Sequence, residues 1–165
     1  MKKIFLVLAA ALCVATVSAQ QKWSIGARVG SGFQADAEWF YSGDKYVEGR
    51  FGMGWLSGAL TADFTALHNW NCCNWDWTPS VGKWYLDAGV GVNLGGAAHY
   101  VYGGVAGDVK FGIKFNKVPI RLSVDYTPVL GIAGWYGKDL GDSVKRAHFY
   151  TPGFYNFALS ATYCF

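Results

Sequence analysis

The sequence predicts an all-β fold, an eight-stranded antiparallel up-and-down barrel. Three observations support this prediction. Apolar residues alternate with small or polar residues along most of the chain, which is the pattern of strands whose two faces meet different surroundings. Helical periodicity is absent from these stretches. Clusters of turn-forming residues separate the alternating segments, and Gly, at 22 of 165 residues, is about twice as frequent as in average proteins.

The amino-terminal segment is predicted to be a secretory signal peptide, separate from the fold. Two lysines precede a fourteen-residue apolar core, residues 4–17, and the small residues Val17 and Ala19 suit the −3 and −1 positions of a cleavage site. Cleavage after Ala19 would leave a signal peptide of residues 1–19 and a barrel domain of residues 20–165. The barrel domain has a net charge of about +1.

Eight segments of the barrel domain alternate, because successive side chains of a strand point to opposite faces. The segments cover residues 23–29, 33–41, 47–55, 60–66, 84–94, 101–115, 118–127 and 156–165. They are separated, in order, by turns at Gly30, Ser42 and Leu56, a long connection over 68–82, turns at Gly95 and Asn116, and a long connection over 131–153. An even number of consecutive antiparallel strands favours a barrel that closes on itself.

The alternation alone fits two barrels of opposite polarity. A lipocalin-like barrel points its apolar face inward, whereas a membrane barrel points that face outward at lipid. The polar face here is rich in small residues rather than in Lys and Glu, and aromatic residues lie at segment ends, as expected of a membrane barrel. Only 15% of residues are charged, against about 25% in soluble proteins. These features favour a transmembrane barrel. No other stretch is long and apolar enough to predict a transmembrane helix.

The charged residues of the polar face are predicted to form a network inside the barrel. Eight strands leave an interior just wide enough for side chains, and an unpaired charge there costs several kcal/mol. The predicted network comprises Arg28, Asp36, Glu38, Glu48, Arg50, Asp63, Asp87, Asp108, Lys110, Lys114, Arg121 and Asp125. A small porin-like channel is therefore only an alternative interpretation, because these side chains would fill the lumen.

The last ten residues, NFALSATYCF, form an alternating strand that ends in an aromatic residue. Its apolar positions are Leu159, Ala161, Tyr163 and Phe165. Together with the signal peptide and the eight segments, this ending resembles the small eight-stranded outer-membrane barrels of Gram-negative bacteria, of the type of the OmpA membrane domain and OmpX. The resemblance implies location in the cell outer membrane, contact with outer-membrane lipid, and recognition of these four residues by the barrel-assembly machinery.

The resemblance also implies that both chain ends lie in the periplasm, so that the 131–153 connection faces outward. That connection is a candidate site for an extracellular ligand. The 68–82 connection would be periplasmic, where the family has tight turns, so the chain departs from the family between the fourth and fifth strands. Its tryptophans, Trp70, Trp75 and Trp77, fit an aromatic belt at the level of the lipid headgroups.

The sequence predicts no catalytic, cofactor or metal site. His68, His99 and His148 are isolated, and the His-x-Ser pairing of lipid A deacylases is absent. A lipid A-modifying enzyme is therefore only an alternative to the main interpretation. Cys72 and Cys73 lack the spacing of a metal site. The barrel domain has an odd number of cysteines, which implies a free thiol or an intermolecular bridge. No basic run suggests nucleic acid as a partner. The predicted role is structural, or interaction at the cell surface.

Overall fold

The computed structural model describes residues 22–56, 59–97, 100–135 and 146–165. Its elements are β1 (Trp23–Val29), β2 (Gly32–Ser42), β3 (Lys45–Leu56), β4 (Ala59–Thr78), β5 (Gly82–Ala97), β6 (Tyr100–Phe115), β7 (Ile120–Tyr126), β8 (Val129–Trp135), β9 (Arg146–Phe149), a 3₁₀ helix (Thr151–Tyr155) and β10 (Phe157–Cys164). The predicted signal peptide and its cleavage site after Ala19 lie outside the described residues. None of the described residues forms a helix long and apolar enough to cross a membrane.

The strands form one closed antiparallel barrel. Consecutive strands pair from β1 through to β7, and β1 pairs with β10, which in turn pairs with β7. β8 continues the line of β7 along β6, and β9 continues the line of β10 beside β8. β7 and β8 thus count as one barrel strand, as do β9 and β10, so the ten segments form a barrel of eight strands. The predicted eight-stranded up-and-down barrel is confirmed.

The two faces of the sheet have opposite polarity. On β2, Gln34, Asp36 and Glu38 are buried in the interior, whereas Phe33 and Trp39 are 55% and 45% exposed on the outside. The same alternation continues around the barrel. The interior is thus mainly polar and the outer surface mainly apolar, the reverse of a lipocalin-like barrel and compatible with a membrane barrel.

The predicted long connection over residues 68–82 is wrong. β4 continues to Thr78 and forms a hairpin with β5, so that only residues 79–81 connect the two strands. The pairing shifts by one residue between Asn71 and Cys73, where a bulge places two residues of β4 against one of β5. This extra residue breaks the period-2 pattern, which is why the alternation did not reveal the second half of the strand.

The predicted long connection over residues 131–153 is also wrong in its described part. β8, β9 and the 3₁₀ helix occupy most of it, and residues 136–145 lie outside the described residues. Pro128 cannot donate to a ladder and so resembles a strand end in the sequence. Its carbonyl nevertheless accepts from Gly107 N at 2.9 Å, and Thr127 N donates to Asn156 O at 2.9 Å. The sheet therefore continues past the proline.

The barrel has two distinct ends. The terminal end carries Lys22, Phe165 and the connections at residues 43–44, 79–81 and 116–119. The loop end carries the turn at residues 30–31 and the hairpin of β8 and β9. The β4–β5 hairpin extends past the start of β3 at the terminal end, because Lys45 already pairs with Trp70.

Candidate functional site

A continuous chain of ion pairs crosses the barrel interior. Arg50 Nε lies 2.6 Å from Glu48 Oε1, and Arg50 Nη2 lies 2.9 Å from Asp108 Oδ2. Lys110 Nζ bridges Glu48 Oε2 and Glu38 Oε1, at 2.8 and 2.9 Å. All five residues are at most 3% exposed. Because they come from β2, β3 and β6, the chain joins opposite walls of the barrel.

Arg121 extends this chain toward the terminal end. Its Nη1 lies 3.1 Å from Glu38 Oε2, and its Nη2 lies 2.7 Å from Asp87 Oδ2. The guanidinium also lies 4.3 Å from the ring centroid of Tyr85, a cation–π distance. Tyr46 Oη donates to Asp87 Oδ2 at 2.9 Å. Arg121 is therefore held in position by two carboxylates and an aromatic face.

A second cluster of charged residues lies next to this chain of ion pairs, and Thr127 joins the two. Arg28 Nε lies 3.4 Å from Asp125 Oδ2. Thr127 Oγ1 accepts from Arg50 Nη1 at 2.7 Å and from Arg28 Nη2 at 3.2 Å, and it donates to Asp108 Oδ1 at 2.7 Å. One hydroxyl thus connects two guanidinium groups and a carboxylate.

Ten of the twelve residues predicted for the network are buried inside the barrel: Arg28, Asp36, Glu38, Glu48, Arg50, Asp87, Asp108, Lys110, Arg121 and Asp125. Asp63 is half-buried and accepts from Gln34 Nε2 at 2.7 Å, whereas Lys114 is exposed at the terminal end. Six of the buried residues are acidic and four are basic. Neither carboxylate oxygen of Asp36 has a hydrogen-bond partner among the described residues.

Several uncharged side chains of the network were not predicted. Ser24 donates to Glu38, Ser160 donates to Asp125, and Asn69 Nδ2 donates to Glu48 Oε2 at 2.6 Å. Each lies on the inward register of its strand, as does Thr127 beside the β7–β8 break. The parity of the alternation could have identified them, because every inward position of a filled barrel is a candidate partner for a charge.

A cavity of about 600 Å³ opens at the terminal end of the barrel. Lys22, Lys83 and Lys114 line it, together with aromatic side chains that include Phe40. Tyr46, Tyr85 and Arg121 also line it. Arg121, the last residue of the ion-pair chain, therefore forms part of the inner wall of the cavity. The cavity is therefore a basic recess closed toward the interior by paired charges.

Three of the predicted assembly residues lie on β10, and the fourth, Phe165, directly follows it. Leu159 is 65% exposed, Ala161 and Phe165 are also exposed, and Tyr163 is half-buried. The last residue is tied into the sheet, since Phe165 N donates to Trp23 O at 2.9 Å and Trp23 N donates to Phe165 O at 3.3 Å. The carboxyl end of the chain is thus part of the seam between β1 and β10.

Aromatic side chains cluster on the outside of the β4–β5 hairpin at the terminal end. The rings of Trp75 and Trp77 are 5.4 Å apart, and the ring of Trp84 lies 5.7 Å from Trp77 and 5.4 Å from Phe111. The bulge at Cys72 places the side chains of Trp75 and Trp77 on the outer face of β4. There they form one contiguous aromatic surface with Trp84 and Phe111. Trp23 and Trp39 stack on the opposite side of the same end, with ring centroids 6.2 Å apart.

The histidines and cysteines lie apart from the ion-pair network. His68 Nε2 lies 2.5 Å from Tyr41 Oη on the outer face, and His148 lies 6.0 Å from the ring of Tyr100. His99 lies outside the described residues. Cys72 and Cys73 are exposed free thiols, and the third described cysteine is a buried free thiol. No group of three or more described His, Cys, Asp or Glu residues could hold a metal ion.

Comparison of the chain with protein-family models, with curated proteins and with solved structures gives no match. The fold and its interior therefore define the class of the molecule directly. It is a small, closed, eight-stranded antiparallel barrel with a charged interior and an apolar outer surface. These features are compatible with a small outer-membrane barrel.

Proposed function

We propose that this chain is a small outer-membrane barrel of the OmpA and OmpX type from a Gram-negative bacterium, with a non-catalytic role in membrane structure or in surface interaction. The observation that carries the proposal is the inverted polarity of the closed barrel. Large apolar side chains are exposed on the outside of all eight barrel strands. Soluble monomers rarely expose apolar patches larger than a few hundred Å². Lipid is the solvent that such a surface fits.

The interior supports a sealed barrel rather than a channel. Breaking one ion pair in such a chain would leave its partner buried without compensation, so each charge holds the others in place. The chain from Asp108 through Arg50, Glu48, Lys110 and Glu38 crosses the lumen between opposite walls. An ion crossing the barrel would have to displace these contacts.

The loop end offers the surface on which an external ligand could bind. Ile132 is 69% exposed, and Trp135 and Phe149 are exposed on the same hairpin of β8 and β9. These residues fall within the 131–153 segment that the sequence indicated. We propose that β8 and β9 contribute to the surface that meets an extracellular partner.

Two measurements on purified, refolded protein test the proposal. Unboiled protein should migrate differently from boiled protein on a denaturing gel, because β1 to β7 and β10 close into a continuous hydrogen-bonded ring that must be broken to unfold the protein. In planar bilayers the folded protein should give no conductance steps. Identical gel migration would contradict a membrane barrel. Stable conductance steps that depend on the folded form would contradict a sealed interior and favour the channel.

A further prediction concerns the proposed recognition of β10 by the barrel-assembly machinery. Deletion of Phe165 should lower the folded fraction in the outer membrane of cells while affecting refolding in detergent much less. Phe165 makes two backbone hydrogen bonds with Trp23, so a part of any loss reflects the β1–β10 seam. Phe165→Ala keeps those bonds and separates the two effects. An equal loss in cells and in detergent for Phe165→Ala would mean that the ring acts only through packing.

A further inference from the structure

The cavity at the terminal end contains a row of basic residues on neighbouring strands. Lys83 of β5 is the direct cross-strand partner of Lys114 of β6, and Lys114 is the partner of Arg121 of β7. Like charges directly opposite each other on one face of a sheet are destabilising. All three residues line the same cavity, so the repulsion is concentrated at one place.

Within this row, Arg121 is paired with acidic residues. Glu38 and Asp87 both pair with Arg121, and Asp87 also accepts from Tyr46 and from Asn71 Nδ2 at 2.8 Å. Within the part of the chain that the structure describes, no ion pair involves Lys22 or Lys83. Four basic residues, Lys22, Lys83, Lys114 and Arg121, line the recess against two acidic ones, Asp44 and Asp87, so its formal charge is positive.

The third lysine approaches from the opposite wall. Lys22 precedes β1, and its carbonyl accepts from Phe40 N at 2.8 Å, which fixes its backbone beside β2. Lys22 and Lys83 thus face the same space from β1 and β5, on different sides of the barrel. Lysine ammonium groups converging on one recess are the arrangement expected for holding an anionic group.

The size and the walls of the recess indicate what kind of anion it suits. Its volume of about 600 Å³ lies in the range of sites for small organic molecules, about 300–1,000 Å³. Phe40 and Tyr85 contribute aromatic surface, and Asn71 and Asn74 contribute amide groups. The inner end is closed by Arg121 and its carboxylates, so a ligand would enter and leave from the terminal end.

We propose that this recess binds a small organic anion, with a carboxylate or phosphate group held by Lys22, Lys83 and Lys114 and an apolar part against Phe40 and Tyr85. The site goes beyond the proposed role in the membrane, since it needs only the folded barrel. Because the recess exists only in the folded barrel, the anion should also stabilise the fold, and the stabilisation should grow with the logarithm of its concentration above Kd.

Ligand-observed NMR on the refolded barrel in neutral detergent tests the site with four probes of similar size. Phenyl phosphate and benzoate carry the two anionic groups, while benzyl alcohol and benzylamine are the neutral and cationic controls. We expect the anions alone to bind, with binding that weakens as salt is added, because exposed charges are screened. A preference between the two anions would distinguish a phosphate from a carboxylate ligand. Equal binding of benzyl alcohol, or no binding of either anion, would overturn the proposal.

Variants locate the binding. The double variant Lys83→Gln/Lys114→Gln should bind the preferred anion about tenfold more weakly, a difference of about 1.4 kcal/mol. Lys45→Gln is the matched control, because Lys45 lies at the same end with its side chain exposed and outside the set of residues lining the cavity. The heat-dependent gel shift verifies that each variant is folded. Equal affinity in the double variant and the wild type, or an equal loss in Lys45→Gln, would contradict the site.

Discussion

Replacing Glu48 with glutamine is expected to lower the free energy of unfolding of the refolded barrel by about 3–5 kcal/mol, the range for breaking a buried ion pair. The substitution keeps the volume of the side chain, so the effect comes from charge. Glu48 is fully buried and binds Arg50 at 2.6 Å and Lys110 at 2.8 Å. Its loss leaves both cations with one carboxylate each, at Asp108 and Glu38. Urea unfolding in lipid vesicles measures the change.

Two further variants make this prediction specific. Asp76→Asn removes an exposed carboxylate from β4 and should change stability by less than about 0.5 kcal/mol. The double variant Glu48→Gln/Lys110→Gln removes one charge of each sign. Its cost should fall short of the sum of the two single changes by about 0.5–3 kcal/mol, the usual coupling of residues in one network. Additive single effects, or a Glu48 variant that behaves like Asp76→Asn, would show that the network does not hold the interior together.

Placing an arginine on the outer face at Val105 should cost roughly 2–4 kcal/mol in a lipid bilayer. Val105 is 55% exposed, and its partners on the neighbouring strands, Val92 and Leu130, are also apolar and exposed. An arginine there would be placed in hydrocarbon if this surface meets lipid. Urea unfolding of Val105→Arg in vesicles, compared with the wild type, gives the cost.

Val118→Arg is the matched control for this change. Val118 is also exposed, but it lies in the connection at the terminal end, where an arginine can reach water and should cost about 0–1 kcal/mol. In a soluble barrel both substitutions would add a charge to a water-facing surface and would be nearly neutral. Equal effects at the two positions would therefore contradict contact between Val105 and the bilayer core.

The sequence was sufficient to predict the barrel because alternation is a local property of each strand. Phe33 and Asp36 lie on opposite faces whatever the rest of the chain does. The prediction was wrong where alternation was interrupted. The bulge at Cys72 concealed the second half of β4, and Pro128 concealed the continuation of β7 into β8. Both interruptions preserve the pairing of the sheet while changing the local pattern.

The contacts inside the barrel could not be predicted in the same way. Arg50 binds Asp108 across the lumen, and that contact depends on the register of every strand between β3 and β6. The recess at the terminal end likewise requires Lys22, Lys83 and Lys114 to converge, although they are far apart in the chain. Strand order and parity give the face of each residue, whereas the stagger of the barrel determines which residues meet.

Labelling of two adjacent residues on β10 tests most directly whether the apolar face meets lipid. Leu159 points outward, whereas Ser160 points inward and donates to Asp125. Leu159→Cys and Ser160→Cys would each be made with the native Cys72, Cys73 and Cys164 replaced by serine. In lipid vesicles, the thiol of Leu159→Cys should react with a lipid-dissolved maleimide and resist a charged one in water. The thiol of Ser160→Cys should resist both until the barrel is unfolded in urea. Rapid reaction of Leu159→Cys with the charged reagent in the folded state would contradict the membrane barrel.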